Sequence, residues 1–254
     1  MTVATLFVVG PAGSGKSSLC GALKHYLELS SKSHTLVNLD PGAEILPYTP
    51  DIDVREWISM EEVMDRYGLG PNGAQIVAND MLANYTDEIK KEIEDLGGDI
   101  IIYDTAGQIE LFAFRAASEF IFRELSYGRG MLLFTFDPVL AKTPSGFVTL
   151  LMLSSAVHFR FQAPFINALT KIDILEDDDL ANIAAWSQDS NALYNDLLNE
   201  RPSMVKELNI ELFRALENAG AFRGVIATSA KNLYGMDDIY AQLLLNFTGG
   251  EEIE

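Results

Sequence analysis

The stretch GPAGSGKS, Gly10 to Ser17, follows directly on the apolar run TLFVV and leads into the helical pattern SSLCGALKHYLEL. No other stretch limits the fold as strongly. The glycines let the backbone curl until its N–H groups face inward at a common point, a concavity suited to anions. The positive end of the helix that follows strengthens the attraction. A strand entering such a curl and a helix leaving it form the first unit of a parallel α/β arrangement.

The rest of the chain repeats that alternation. HTLVNLD, GDIIIYDTAG, GMLLFTFDP, APFINALTKID and GVIATSA are short, apolar and end at Asp, Gly or Ser, as buried strands with polar tips do. Between them lie AQIVANDMLANYTDEIKKEIEDL, SGFVTLLMLSSAVHFRF and MDDIYAQLLLNF, which have helical character. The expected fold is α/β, three-layered, with a mostly parallel central sheet covered on both faces. Ligands in such sheets bind at the carboxyl ends of the strands. Residues 1–254 read as a single domain carrying two insertions, at about 41–72 and about 176–220. In the second, Arg201-Pro202 is expected to open a new helix.

Composition narrows the function classes. The chain has 254 residues, of which 48% are hydrophobic, and nine prolines, which excludes a disordered chain. No run of 18 apolar residues suggests a membrane span, and MTVATLFVVGPAG lacks the basic region of a secretion signal. The single cysteine, Cys20, has no partner for an internal disulfide and sits within an apolar helical pattern, so it is expected to be a buried packing residue. A reducing, cytoplasmic setting fits best. The formal net charge of −19, with no basic patch, argues against direct nucleic-acid binding.

Four motifs carry chemistry. Gly10, Pro11, Ala12, Gly13, Ser14, Gly15, Lys16 and Ser17 match the Walker A pattern, with Ser18 next in the first helical turn. Lys16 is expected to reach the β- and γ-phosphates of a nucleotide, and Ser17 to bind Mg²⁺. Asp104-Thr105-Ala106-Gly107-Gln108 ends the strand IIIYD. There Asp104 can hold Mg²⁺ through water, Gly107 can approach the γ-phosphate with its N–H, and Gln108 can orient an attacking water. Thr170-Lys171-Ile172-Asp173 matches the guanine-reading Asn/Thr-Lys-x-Asp element. Asp173 can accept from guanine N1–H and N2–H₂, whereas adenine would leave the carboxylate unpaired. Lys171 is expected along the base plane, and Ser229-Ala230 suits the loop that meets guanine O6. Thr170 stands where Asn is commoner, a change bearing on loop bracing rather than on base choice.

In this order the motifs resemble those of P-loop GTPases. Asn38-Leu39-Asp40-Pro41-Gly42, Tyr48-Thr49-Pro50-Asp51-Ile52-Asp53-Val54-Arg55 and Leu69-Gly70-Pro71-Asn72-Gly73, the last of which reads as a turn by its Gly, Pro and Asn, narrow the likeness to the GPN-loop GTPases, in their short homodimeric archaeal form. The resemblance spans about 3–247 and implies a GTP hydrolase that cycles between GTP and GDP with Mg²⁺. It further implies a homodimer in which each subunit inserts Gly70-Pro71-Asn72 into the partner's site. On this likeness Asn72 acts in trans on the nucleophilic water, while Asp40 lies near Mg²⁺ and that water. Protein clients such as RNA polymerase subunits are also implied. Ala106 stands where the family usually has Pro, and Gly42 where it usually has Ala.

The expected reaction is water attack on the γ-phosphate, held in line by Gln108, Asp40 and the partner's Asn72 while Lys16 and the loop amides carry charge. Two other readings share the phosphate loop. One is a phosphotransferase acting on a nucleoside or polynucleotide, and the other is a slow nucleotide-gated scaffold for protein assembly.

Overall fold

The computed structural model describes residues 4–202, 204–220 and 222–250. Seven strands form one sheet: β1 (Ala4–Val9), β2 (His34–Asn38), β3 (Ile52–Asp53), β4 (Ile100–Asp104), β5 (Gly130–Phe136), β6 (Phe165–Leu169) and β7 (Val225–Ala227). Their order is β3-β2-β4-β1-β5-β6-β7, and every neighbouring pair is parallel. Because the strands run one way, their carboxyl ends share one edge. The residues after β1, β2, β4, β6 and β7 are the motif residues singled out above, so a one-dimensional pattern becomes one rim.

Side-chain alternation along β1 divides the core in two. Phe7 and Val9 face one layer and Leu6 and Val8 the other. The second layer is closed by α1 (Lys16–Leu29), through Leu19, Cys20, Leu23 and Leu27, and by the last helix of the chain, Met236–Phe247. Cys20 is fully buried there, as its apolar setting implied.

The first layer is covered by helices from the middle of the chain. They are α2 (Met60–Tyr67), α3 (Pro71–Met81), α4 (Thr86–Leu96), α5 (Ile109–Ala113), α6 (Ala116–Leu125), α7 (Pro138–Ala141) and α8 (Pro144–Phe161). Beyond these lie α9 (Asp177–Gln188), α10 (Ser190–Asn199) and α11 (Met204–Asn218), and then α12 (Met236–Phe247). Ile183, Trp186, Leu193, Leu197 and Phe213 of α9 to α11 belong to this same core, so the acidic insertion packs onto the sheet layer.

The structure departs from the sequence reading in three places. The run 74–96 is two helices, separated by a 3₁₀ turn at Leu82–Asn84, with Thr86 Oγ1 donating back to the Ala83 carbonyl at 3.3 Å. Gly70-Pro71-Asn72 is the first turn of α3, with Gly70 as N-cap and Pro71 at a position where its missing N–H is harmless. The insertion at 41–72 therefore runs on into a helix, and it also supplies the edge strand β3. The new helix expected at Arg201-Pro202 is α11, described from Met204 to Asn218.

Phe147 of α8 joins the two halves of the first layer. It is fully buried, edge-on to Phe136 at 5.6 Å and 5.9 Å from Trp186 of α9. Phe147→Ala is expected to lower unfolding free energy by about 3–5 kcal/mol, measured by urea denaturation with Trp186 as one probe of the transition.

Candidate functional site

The loop after β1 is shaped by close approach as much as by φ. Gly10 has φ 154°, and a Cβ there would lie 2.1 Å from the Thr135 hydroxyl of β5. Only glycine lets the backbone pass so near the neighbouring strand. Gly13 and Gly15 take φ values of 74° and 90°, which turn the chain into α1. The loop is braced from behind: Ser14 Oγ donates to the Pro11 carbonyl at 2.7 Å and is also hydrogen-bonded to the Thr135 hydroxyl.

The segment Thr170-Lys171, after β6, is fastened to this loop. Thr170 Oγ1 lies 2.6 Å from the Ser14 carbonyl and 3.2 Å from that of Phe136. Lys171, at φ 52°, donates its ammonium to the Gly13 carbonyl. The hydroxyl at position 170 therefore reaches the phosphate loop itself, and bracing is present without the commoner Asn. Asp173 is exposed, and its Oδ1 accepts from Ser229 Oγ at 2.6 Å. Ala230 follows Ser229 directly, where Lys231 N–H turns back onto Ser229 Oγ at 3.3 Å.

Lys16 is only 4% exposed and makes three hydrogen bonds, to the carbonyls of Gly10 at 3.0 Å, Pro11 at 3.0 Å and Gly107 at 2.7 Å. All three ammonium protons are thereby used. Burial holds its pKa below the usual lysine value, against Asp104 and Asp40, which favour the charged form. The third bond ties the loop after β1 to the loop after β4.

Asp40 makes a second tie between strand tips. Its Oδ2 accepts from Gly107 N–H at 2.8 Å and its Oδ1 from Gly42 N–H at 2.9 Å. Burial raises its pKa, although both amides and Lys16 oppose the rise. Behind it, Asn38 Oδ1 accepts from Asp40 N–H at 3.0 Å, while Asn38 Nδ2 donates to Asp53 Oδ1 at 2.9 Å. Arg55 grips Asp53 and donates to the Ala43 carbonyl at 2.8 Å. This chain of bonds fixes the turn that carries Asp40.

Asp104, at the tip of β4, is buried, and burial raises its pKa, while Ser17, Tyr48 and Lys16 pull it down. Tyr48 donates to its Oδ2 at 2.7 Å, and Oδ1 has no hydrogen-bond partner. A buried, unpartnered carboxylate oxygen beside a hydroxyl is the chemistry a hard cation takes. Among the described residues no three or more His, Cys, Asp and Glu gather as a metal cluster. Ser17, Asp104 through a water, and Asp40 beside them are the residues that would hold Mg²⁺ together with phosphate oxygens, the few-ligand mode usual for that ion. The residues present fit it.

Gln108 and Asn72 are both exposed, Gln108 at the N-cap of α5 and Asn72 in the first turn of α3. Three residues after Asn72 on the same helix face, Gln75 covers Gly42: a Cβ on Gly42 would lie 2.7 Å from Gln75 Nε2. The helix bearing Asn72 thus rests on the turn bearing Asp40. Sequence reasoning gave no role to Thr135, Gln75 or Tyr48. Thr135 and Gln75 carry no motif signal, and Tyr48 stood inside a quoted stretch without an assigned task.

The family model described as "Conserved hypothetical ATP binding protein" matches residues 8–246. The GPN-loop GTPase PAB0955 of Pyrococcus abyssi is 33% identical over 233 residues, covering 91% of this chain and 92% of that protein. The chain belongs to the GPN-loop GTPase family. The crystal structure described as PAB0955, "a GTPase in Apo form", superposes with a TM-score of 0.85 at 30% identity, covering 97% of this chain and 98% of that one. GPN-loop GTPase 3 of Kluyveromyces lactis is 35% identical over 68% of this chain and 65% of its own length. The GPN-loop GTPase 2 homolog of Dictyostelium discoideum is 32% identical over 67% of this chain and 55% of its own length. This chain therefore spans less than two thirds of those two family members.

The buried carboxyls make stability depend on pH in a definite direction. Asp40 and Asp104 hold protons more tightly folded than unfolded, so between the ordinary value of 3.8 and their raised values the folded chain binds more protons. Stability falls as pH rises through that window and is regained on acidification. Wild type is expected to gain on Asp40→Asn as pH is lowered towards that window, in denaturation curves taken at stepped pH. A difference between the two proteins that stays constant with pH would refute the assignment.

Proposed function

We propose that the chain is a Mg²⁺-dependent GTP hydrolase that works as a dimer, each subunit's Asn72 completing the partner's site. The observation that carries guanine recognition is the fastening of Thr170 and Lys171 onto the Ser14 and Gly13 carbonyls. It sets the base-reading carboxylate of Asp173 at a fixed distance from the phosphate loop. The family description speaks of ATP and the relatives' names of GTP. The carboxylate of Asp173, held by Ser229, favours guanine, because adenine offers it no pair of donors.

In the proposed mechanism the backbone N–H groups of Gly10 to Ser17 cradle the phosphates. Lys16 exchanges carbonyl partners for phosphate oxygens and offsets charge as the γ-phosphate departs. Gly107 is held by both Lys16 and Asp40, and on this reading its N–H passes from Asp40 Oδ2 to a phosphate oxygen. That exchange would free Asp40 to accept from the attacking water, with Gln108 and the partner's Asn72 as further orienting groups. Mg²⁺ would supply charge neutralisation on the phosphates from its place at Ser17 and Asp104.

The dimer reading is supported by the exposure of Asn72 on a helix that already rests on the Asp40 turn. A two-fold axis beside this rim would bring two such helices to two sites. Such an arrangement would make turnover report on subunit geometry, as a switch for assembling protein clients requires; RNA polymerase subunits are the proposed class. A cytoplasmic setting agrees with the lone buried Cys20, and among the described residues no helix is long and apolar enough to cross a membrane.

Two experiments test the reading. Asp173→Asn is expected to weaken GTP binding by about 10²-fold or more, a loss of ~3 kcal/mol, and to improve xanthosine triphosphate, whose C2 carbonyl suits an amide donor. Unchanged base preference in a competition assay would remove guanine recognition. Mixed dimers of Lys16→Ala with Asn72→Ala contain one site with Lys16 intact facing an intact partner Asn72. Partial return of phosphate release is expected there, and none despite verified mixing would show that Asn72 does not act across the interface.

A further inference from the structure

Tyr48, just ahead of the edge strand in the chain, bonds the metal-suited carboxylate, and nothing in the phosphate chemistry requires it. We propose that Tyr48 is a positioning residue for the cation: its hydroxyl fixes Asp104 through Oδ2 and so leaves Oδ1 as the oxygen that accepts from a metal-bound water. The inference rests on the Mg²⁺-dependent nucleotide reading above.

Three observations carry it. The Tyr48 hydroxyl donates to Asp104 Oδ2 at 2.7 Å, and among the described residues the other oxygen of that buried carboxylate makes no hydrogen bond of normal geometry, with the Ser17 side chain nearby. A carboxylate free to rotate would present either oxygen, whereas one pinned by a phenol presents only one, and outer-shell partners of this kind set ligand orientation. The ring, moreover, is seated in a notch built for it. Gly21 stands inside α1, where glycine is a poor helix former, and a Cβ there would meet Tyr48 Cβ at 3.1 Å and Cδ1 at 3.4 Å.

The segment carrying Tyr48 is also held on both sides. Lys24 of α1 donates to the Thr49 carbonyl at 3.0 Å and to Asp51 Oδ1 at 2.7 Å. Asp51 Oδ2 accepts from the Leu36 N–H of β2 at 2.7 Å. Upstream, Arg55 clasps the Ala43 carbonyl. Tyr48 thus reaches Asp104 from a stretch tied to the first helix and to β2, which gives its hydroxyl the fixed placement that a positioning role needs.

The test uses the full chain and a fluorescent GDP analogue, with the rate of GDP release followed against free Mg²⁺. In wild type Mg²⁺ is expected to slow release. In Tyr48→Phe, which keeps the ring in its notch, half-maximal retention is expected to need about 10-fold more Mg²⁺. Gly21→Ala, which keeps the hydroxyl but pushes the ring and with it the hydroxyl off its seat, should shift the requirement in the same direction by less. Thermal midpoints without metal or nucleotide check that each variant folds. Should Tyr48→Phe fail to fold, the Mg²⁺ requirement of Gly21→Ala decides: a rise supports the role and no change overturns it. An unchanged requirement in a folded Tyr48→Phe protein overturns it, as does a lower one, which would mean that the hydroxyl competes with the cation. Absence of any Mg²⁺ effect in wild type would instead bring down the metal-dependent reading itself, and this inference with it.

Discussion

Everything at the rim depends on hydroxyl groups that hold the phosphate loop from behind. Thr135 of β5 stands where Gly10 leaves no room for a side chain, and Thr170 reaches the carbonyl of Ser14. Each is almost wholly buried, and each satisfies a backbone or hydroxyl group that would otherwise lose its water without replacement. A curled loop of glycines has little stiffness of its own. Here it takes its stiffness from two neighbouring strands, and its donors are therefore already aimed before any anion arrives.

Against that braced loop, the charged groups sit in an arrangement that opposes stability. Lys16, Asp40 and Asp104 are all buried, and in each case burial pushes the pKa towards the neutral form. A core built for stability alone would hold apolar residues there. The fold tolerates the charges because backbone groups answer them: carbonyls of Gly10, Pro11 and Gly107 for the ammonium, and amides of Gly42 and Gly107 for Asp40. Gly107 contributes on both sides, through its carbonyl to Lys16 and its N–H to Asp40. A movement of this single residue would disturb both charges together.

Much of this was legible in the sequence because parallel strands turn a linear order into a spatial one. Strand tips such as Asn38, Asp104 and Leu169 must share an edge once the strands are parallel, and the motif residues follow them directly. The split between α3 and α4 was not legible, because the apolar spacing of AQIVANDMLANYTDEI continues across the 3₁₀ turn at Leu82–Asn84. Nor was the helical state of Pro71 and Asn72, since Gly-Pro-Asn suits a turn and a helix start equally well. Contacts that bridge distant segments, such as Tyr48 to Asp104 or Gln75 over Gly42, leave no periodic trace. They arise from which faces meet after folding, and spacing along the chain does not encode that.

The missing methyl at Gly42 shows what such a contact entails. The space beside that turn is a single small volume shared by two segments, and the amide of Gln75 fills the part that an alanine would otherwise take. A methyl added at the turn would therefore be met by a swing of the Gln75 amide, the free end of a flexible side chain, so that the cost of one carbon is the conformational freedom of another residue's side chain.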